Sequence, residues 1–244
     1  MSLFAIGDLH LAIGEPDKTM EAFGGRWNGY VDKIRRGFDL LHEDDTCVIC
    51  GDFCWAMSLA EALPDFQFLN SLPGKKLMVK GNHDYWWTTA AKMNAFFAQN
   101  GLDTISLLHN NSAEWENLAL CGTRGWFKDE ETGTEHDAKV LRREVGRLET
   151  SLKCAGEREK LVFLHYPPLY LHYTCPEILH VLSEYGVHEC CYGHIHGYGC
   201  RSAFIGESEG VRDRLVSADF LDFVPYKLRK SVAICILICY NVSA

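Results

Sequence analysis

LMVKGNHDYWW, residues 77–87, sets the reading of the whole chain. Leu77, Met78 and Val79 form a short apolar run, flanked by Lys76 and Lys80, that suits a buried strand. Gly81 ends the run, and Asn82, His83 and Asp84 follow at once. A carboxamide, an imidazole and a carboxylate thus sit where a strand stops, and α/β sheets build their sites at the carboxyl ends of strands. The same grammar recurs along the chain. LFAIGDLHL (3–11) delivers Asp8 and His10, and CVICGDF (47–53) delivers Asp52. LVFLHYPP (161–168) delivers His165, and ECCYGHIHG (189–197) delivers His194 and His196. Glycines 7, 51, 81 and 193 precede four of these groups, where the backbone must turn and approach its neighbours closely.

Other apolar runs at 105–109 and 118–122, and VAICILICY at 232–240, are expected to be strands; the last is too short to span a bilayer. Amphipathic stretches alternate with them. Val31, Ile34, Phe38 and Leu41 keep helical spacing, Ser58 with Glu61 forms a capping box, and Pro64 limits or kinks the helix that follows. A third helix ends at Gly101 and a fourth starts at Pro176. Strands alternating with helices predict an α/β fold in a single domain over 1–244. The polar segment 127–160 carries one helix, with Val140, Leu141, Val145, Leu148 and Leu152 on one face. It is either a surface excursion or a crossover helix.

Composition narrows the function. A net charge of −9 disfavours duplex nucleic acid and anionic lipid. No secretory leader is evident, so the eleven cysteines are expected to be reduced thiols in a cytoplasmic protein. Cys47 and Cys50 fall on a strand and should diverge across the sheet, which disfavours a thiol metal site with Cys54. The adjacent Cys190 and Cys191 should likewise face opposite ways.

With eleven histidines in 244 residues, one H-x-H pair is unremarkable. The ordered set is not. Carboxylates, imidazoles and a carboxamide suit first-row dications such as Mn, Fe, Zn or Ni. Seven such groups are too many for one ion and suit two if a carboxylate bridges, as a clamp that activates water against a phosphoryl group.

D-x-H (8–10), G-D (51–52), G-N-H-D (81–84), His165 and G-H-x-H (193–196), in that order, resemble the calcineurin-like metallophosphoesterase superfamily. The resemblance implies a four-layer αββα sandwich: two mixed sheets flanked by helices, with two divalent transition-metal ions at the strands' carboxyl ends. It implies that Asp8, His10, Asp52 and His196 hold one ion, and that Asp52, Asn82, His165 and His194 hold the other. Hydroxide held between the ions would attack phosphorus, His83 would protonate the leaving oxygen, and Asp84 would orient His83.

The D-R-G that follows G-D in the superfamily's protein phosphatases is absent from GDFCWAM (51–57), so the chain resembles the bacterial small-molecule phosphodiesterase branch. The expected substrate is a small phosphodiester or phosphomonoester. A nuclease on short or single-stranded nucleic acid is the alternative, and a non-catalytic metal-binding interaction module is an alternative of another class. No protein partner is expected. Arg124, after another strand end, could meet a phosphate bidentately. Trp55, Trp86 and Trp126 are candidate walls for a planar group.

Overall fold

In the computed structural model, residues 1–127 and 133–230 are described. The strand expected at 232–240, and residues 128–132 of the polar segment, lie outside them. Strands β1 (Ser2–Ile6), β2 (Thr46–Cys50), β3 (Lys75–Val79) and β4 (Ile105–Leu107) pair in parallel, and β13 (Tyr226–Lys230) joins β1 antiparallel. A second sheet has the order β11 (Gly206–Ser208), β12 (Val211–Leu215), β10 (Glu189–Tyr192), β7 (Glu159–Leu164), β6 (Leu118–Thr123) and β5 (Ala113–Trp115). Its four inner strands are parallel and its two edges antiparallel. A two-stranded hairpin, β8 (Leu169–Tyr170) and β9 (Tyr173–Thr174), stands apart.

Three apolar clusters make four layers. Phe4, Ile6, Cys47, Ile49 and Met78, from one face of the first sheet, pack with Ile34 and Phe38 of α1 (Tyr30–Phe38), Phe66 and Leu69 of α2 (Leu63–Ser71), and Met93 and Phe97 of α3 (Ala90–Gln99). The opposite face sends Leu3, Ala5, Val48, Cys50, Leu77 and Val79 against Leu118, Leu120, Leu161, Phe163 and Cys191 of the second sheet. The outer face of that sheet, with Cys121, Val162, Leu164, Cys190 and Tyr192, receives α4 (Glu135–Cys154) and α5 (Pro176–Glu184). Strands covered on both faces are apolar at every position, which is why they stood out as short continuous runs. Alternation sends Cys47 outward and Cys50 inward, and separates Cys190 from Cys191 in the same way. The cysteines among the described residues are free thiols.

α4 connects parallel neighbours β6 and β7 and lays Leu141, Leu148 and Leu152 on their sheet, so it is the crossover helix. Thr134 caps it reciprocally with Asp137. The helix after Ser58 begins later than its capping-box signal. Ser58 Oγ does accept from the Glu61 amide, but Glu61 Oε2 accepts from the Met57 amide, and residues 58–62 only turn. Pro64 lies in the first turn of α2, where its missing N–H costs nothing, and so opens the helix rather than kinking it. No helix among the described residues is long and apolar enough to cross a membrane.

β12 and β13 escaped the sequence reading. VRDRL alternates, but its inward middle residue is Asp213, 1% exposed, with neither carboxylate oxygen partnered. Burial pushes that carboxyl up from 3.8 to about 7. Folding therefore favours its protonated form, so its penalty is absent below about pH 4, builds between about pH 4 and 7 and is constant above. Asp213→Asn, which cannot ionise, is expected to be more stable than the parent at pH 8 by a few kcal/mol, since each pKa unit between the folded and unfolded states is worth about 1.4 kcal/mol. The difference should close towards pH 4; melting curves at both pH values check it.

Candidate metal centre

β1, β2 and β3 of one sheet, and β7 and β10 of the other, end at a common edge. Loop backbones knit the ends together: Asp8 N–H donates to Gly51 O (2.9 Å), His10 N–H to Asp52 O (3.0 Å) and Gly193 N–H to His165 O (3.1 Å). Asp8, His10, Asp52 and His194 all have positive φ, at 58°, 46°, 49° and 70°. Non-glycine residues held in this region cost about 1–3 kcal/mol each and concentrate at functional sites. The glycines between them are fixed by close approach. A Cβ on Gly81 would lie 2.1 Å from Asp52 Oδ1, and one on Gly193 would lie 2.5 Å from Asp8 Oδ2.

The side chains converge in two groups. Asp8, His10 and His196 present ligand atoms within 4.8 Å of one another, and so do Asp52, His165 and His194. His10 Nε2 is 3.2 Å from His196 Nε2, which is 3.4 Å from Asp8 Oδ1. In the second group His165 Nε2 lies 2.6 Å from Asn82 Oδ1. One atom of the second group also faces the first: Asp52 Oδ2 is 3.8 Å from His10 Nε2 and 3.5 Å from His165 Nε2. A carboxylate oxygen thus faces histidine nitrogens of both groups.

Electrostatics agree with cation binding. Burial, and then the Asp8 carboxylate, push Asp52 up to about 8. Asp8 opposes its own burial through His196, His165 and His10 and is held below the ordinary carboxylate range. Burial pulls His194 down to about 3 and lowers His10 and His165, keeping these imidazoles neutral as ligands must be. For His196 burial is outweighed by Asp8 and Asp219, which push it up to about 10. A dication supplies the positive charge that the crowded carboxylates seek. The donor set of imidazole nitrogens, carboxylate oxygens and one carboxamide fits divalent transition metals.

The calcineurin-like phosphoesterase profile matches residues 1–198. The chain belongs to the calcineurin-like phosphoesterase family. Metal-dependent phosphoester hydrolysis comes with that membership. Among solved structures, the phosphopantetheinyl hydrolase of Mycobacterium tuberculosis aligns with a TM-score of 0.61 at 15% identity, over 94% of this chain and 96% of that one. A protein of unknown function from Aquifex aeolicus aligns with a TM-score of 0.47 at 16% identity, over 93% and 95%. No curated protein matches the sequence.

Around the ligand groups this calcineurin-like phosphoesterase departs from several expectations. Asp84 does not orient His83. Its Oδ2 accepts from the amides of Asp52 (3.1 Å) and Gly81 (2.6 Å), and its Oδ1 from Phe53 (2.8 Å), so this buried carboxylate staples two ligand loops together. His83 is held otherwise: its amide donates to Asp52 Oδ1 (2.8 Å), its Nδ1 meets the Tyr85 hydroxyl at 3.3 Å, and its ring lies 4.5 Å from that of Trp55.

Arg124 and Trp126 do not reach the cleft beside the ligands. Fully buried Glu144 of α4 takes the Arg124 guanidinium at 3.4 Å, and that group lies over the Trp126 ring at 4.6 Å. Arg124 serves the site through its carbonyl, which accepts from the His165 and Tyr166 amides. Trp86 is 2% exposed and packs edge-on against Phe53 and Phe66, a core residue rather than a wall. Trp86→Ala is accordingly expected to cost about 3–5 kcal/mol of stability, whereas Trp55→Ala should chiefly raise KM; thermal melts and steady-state kinetics separate the two.

The cleft itself, about 980 Å³, is lined by His10, His83 and His196 at its base, with Trp27, Trp55, Phe23 and Tyr198 as walls and rim. Trp55 stacks on His10 at 4.8 Å, and Trp27 meets His196 edge-on at 5.9 Å. Phe23 and Tyr198 are 75% and 85% exposed. Of these, only Trp55 had a sequence signal, its place three residues after Asp52. Asp219, which bonds His196 Nδ1 at 3.0 Å, carried no motif at all.

Proposed function

We propose that the chain hydrolyses small phosphoesters, diesters foremost, at a two-metal centre. The observation that carries this reading is Asp52 Oδ2, placed between two convergent ligand groups. On this reading Asp8, His10, Asp52 and His196 hold one ion, and Asp52, Asn82, His165 and His194 the other. Manganese, iron, zinc or nickel bound there would neutralise phosphoryl charge and activate water.

The chain's own residues do the rest. The Asp52 carboxylate holds His83 through the backbone, which keeps the imidazole at the base of the cleft beside His10. Burial, with His165 next, holds His83 below the ordinary histidine range, so its imidazolium is the stronger acid towards a leaving alkoxide, though the minor form near neutral pH. Selectivity falls to the walls, since a metal pair grips any phosphoryl group alike. The aromatic walls suit an ester with a planar aryl or base component. The cleft is far larger than a phosphoryl group needs, which favours a substrate with two organic arms or one long one. Family membership supports the reaction class, and the M. tuberculosis neighbour of the same fold is itself described as a hydrolase of a phosphopantetheinyl group.

The test compares kcat/KM for bis-nitrophenyl phosphate, nitrophenyl phosphate, cyclic nucleotides, a short single-stranded oligonucleotide and a phosphopeptide, all with manganese. The expected order puts the small diester first and the phosphopeptide last. A leading phosphopeptide or oligonucleotide overturns the substrate assignment, and no turnover of any of them supports the non-catalytic alternative.

A further inference from the structure

The four histidines of the ligand groups are not held alike. His165 is fully buried, and its Nδ1 meets the Cys50 carbonyl at 3.0 Å, so Nδ1 carries the proton and Nε2 is left as the ligand atom. His10 is buried and clamped by the stacked Trp55 ring. His196 is different. It lines the base of the cleft just before Gly197, its side chain is 28% exposed, and among the described rings only those of His10 and Trp27 pack against it. A carboxylate sets the ring. Asp219, 2% exposed, places Oδ1 3.0 Å from His196 Nδ1, while its Oδ2 accepts from the Gly197 amide at 2.8 Å.

Asp219 is itself fixed. The Ala218 amide donates to Gly7 O, joining this turn to the end of β1, and the Asp219 carbonyl accepts from Arg26 Nη1 at 2.7 Å on the lip of the cleft. A buried carboxylate with both oxygens directed at one loop cannot rotate away without losing two charge-assisted hydrogen bonds.

We infer that Asp219 is a positioning residue for the first metal: it keeps the His196 proton on Nδ1, aims Nε2 at the ion, and raises the basicity of that nitrogen. The inference rests on the two-metal reading. Carboxylates behind ligand histidines typically strengthen metal binding 10–100-fold. The effect should be local, because Asp219 touches no group of the Asp52–His165–His194 cluster.

The test is a titration of the chelator-stripped full chain with manganese chloride, followed by electron paramagnetic resonance, with thermal melts alongside. Wild-type protein should take up two Mn²⁺ and show a coupled-pair signal. Asp219→Ala should weaken one of the two uptake steps about 10–100-fold, leave the other within about threefold, and show an isolated-ion signal at concentrations that fill the wild-type pair. Asp219→Asn, which can still accept from Nδ1–H and fill the same volume, should restore part of the affinity.

Two wild-type steps in both variants, or two steps weakened equally in step with a lower melting temperature, overturn the positioning role. A wild-type protein that binds fewer than two Mn²⁺ overturns the two-metal reading itself, before the variants are consulted.

Discussion

Asp52→Asn is expected to lower kcat/KM on any phosphoester by about 10³-fold or more. The carboxylate's Oδ2 faces both ligand groups, so its charge is needed twice. A metal centre contributes several kcal/mol of transition-state stabilisation, and each 1.36 kcal/mol is a factor of ten in rate. The fold should survive, because asparagine keeps an oxygen to accept from the His83 amide and burial otherwise pushes the carboxyl towards its neutral form. Circular dichroism and kinetics on the same sample check this. A folded variant with activity within tenfold of the parent contradicts the bridging assignment.

His83→Ala is expected to keep its metals and lose about 10²–10⁴ in turnover on substrates with poor leaving groups, the usual contribution of a general acid. With nitrophenolate as leaving group, which needs no proton, the loss should shrink to tenfold or less. His83 lines the cleft but belongs to neither ligand group, so metal content should stay at the parental value. An equal loss on good and poor leaving groups would assign His83 to binding instead. Asp84→Asn makes a useful contrast. Because Asp84 touches the amides of Asp52, Phe53 and Gly81 and not the His83 ring, its effect should appear as lowered melting temperature and fall evenly across leaving groups.

The site was legible in the sequence because its ligands follow strands buried on both faces. Leu3–Ile6, Val48–Cys50 and Leu161–Leu164 are apolar at every position, so each strand end shows as an abrupt change to glycine and polar residues. The strands at and next to the sheet margins give no such contrast. VRDRL alternates charge with an inward aspartate, and YKLRK, on the sheet margin, is polar on most positions. Supporting residues were less visible than ligands. Asp84 lies inside a motif, yet its role depends on which backbone amides fold over it, and that is set by two separate loops. Asp219 comes 23 residues after His196, and no local spacing connects them. Trp27 and Phe23 belong to a run of short turns between residues 16 and 27 with no periodicity, so their presence in the cleft is a tertiary fact alone. Arg124 was misread for the opposite reason. An arginine after a strand end looks available to a phosphate, but Glu144, 20 residues later on α4, reaches it first.

The two-metal centre is tested most directly by counting metal. Protein purified without chelators, then equilibrated with manganese and desalted, is measured by elemental analysis alongside Asp52→Asn and His194→Ala prepared the same way. The expected result is two equivalents per wild-type chain, with both sites depleted in Asp52→Asn and one in His194→Ala. One equivalent or none in the wild type, or two equivalents undiminished in both variants, contradicts the assignment.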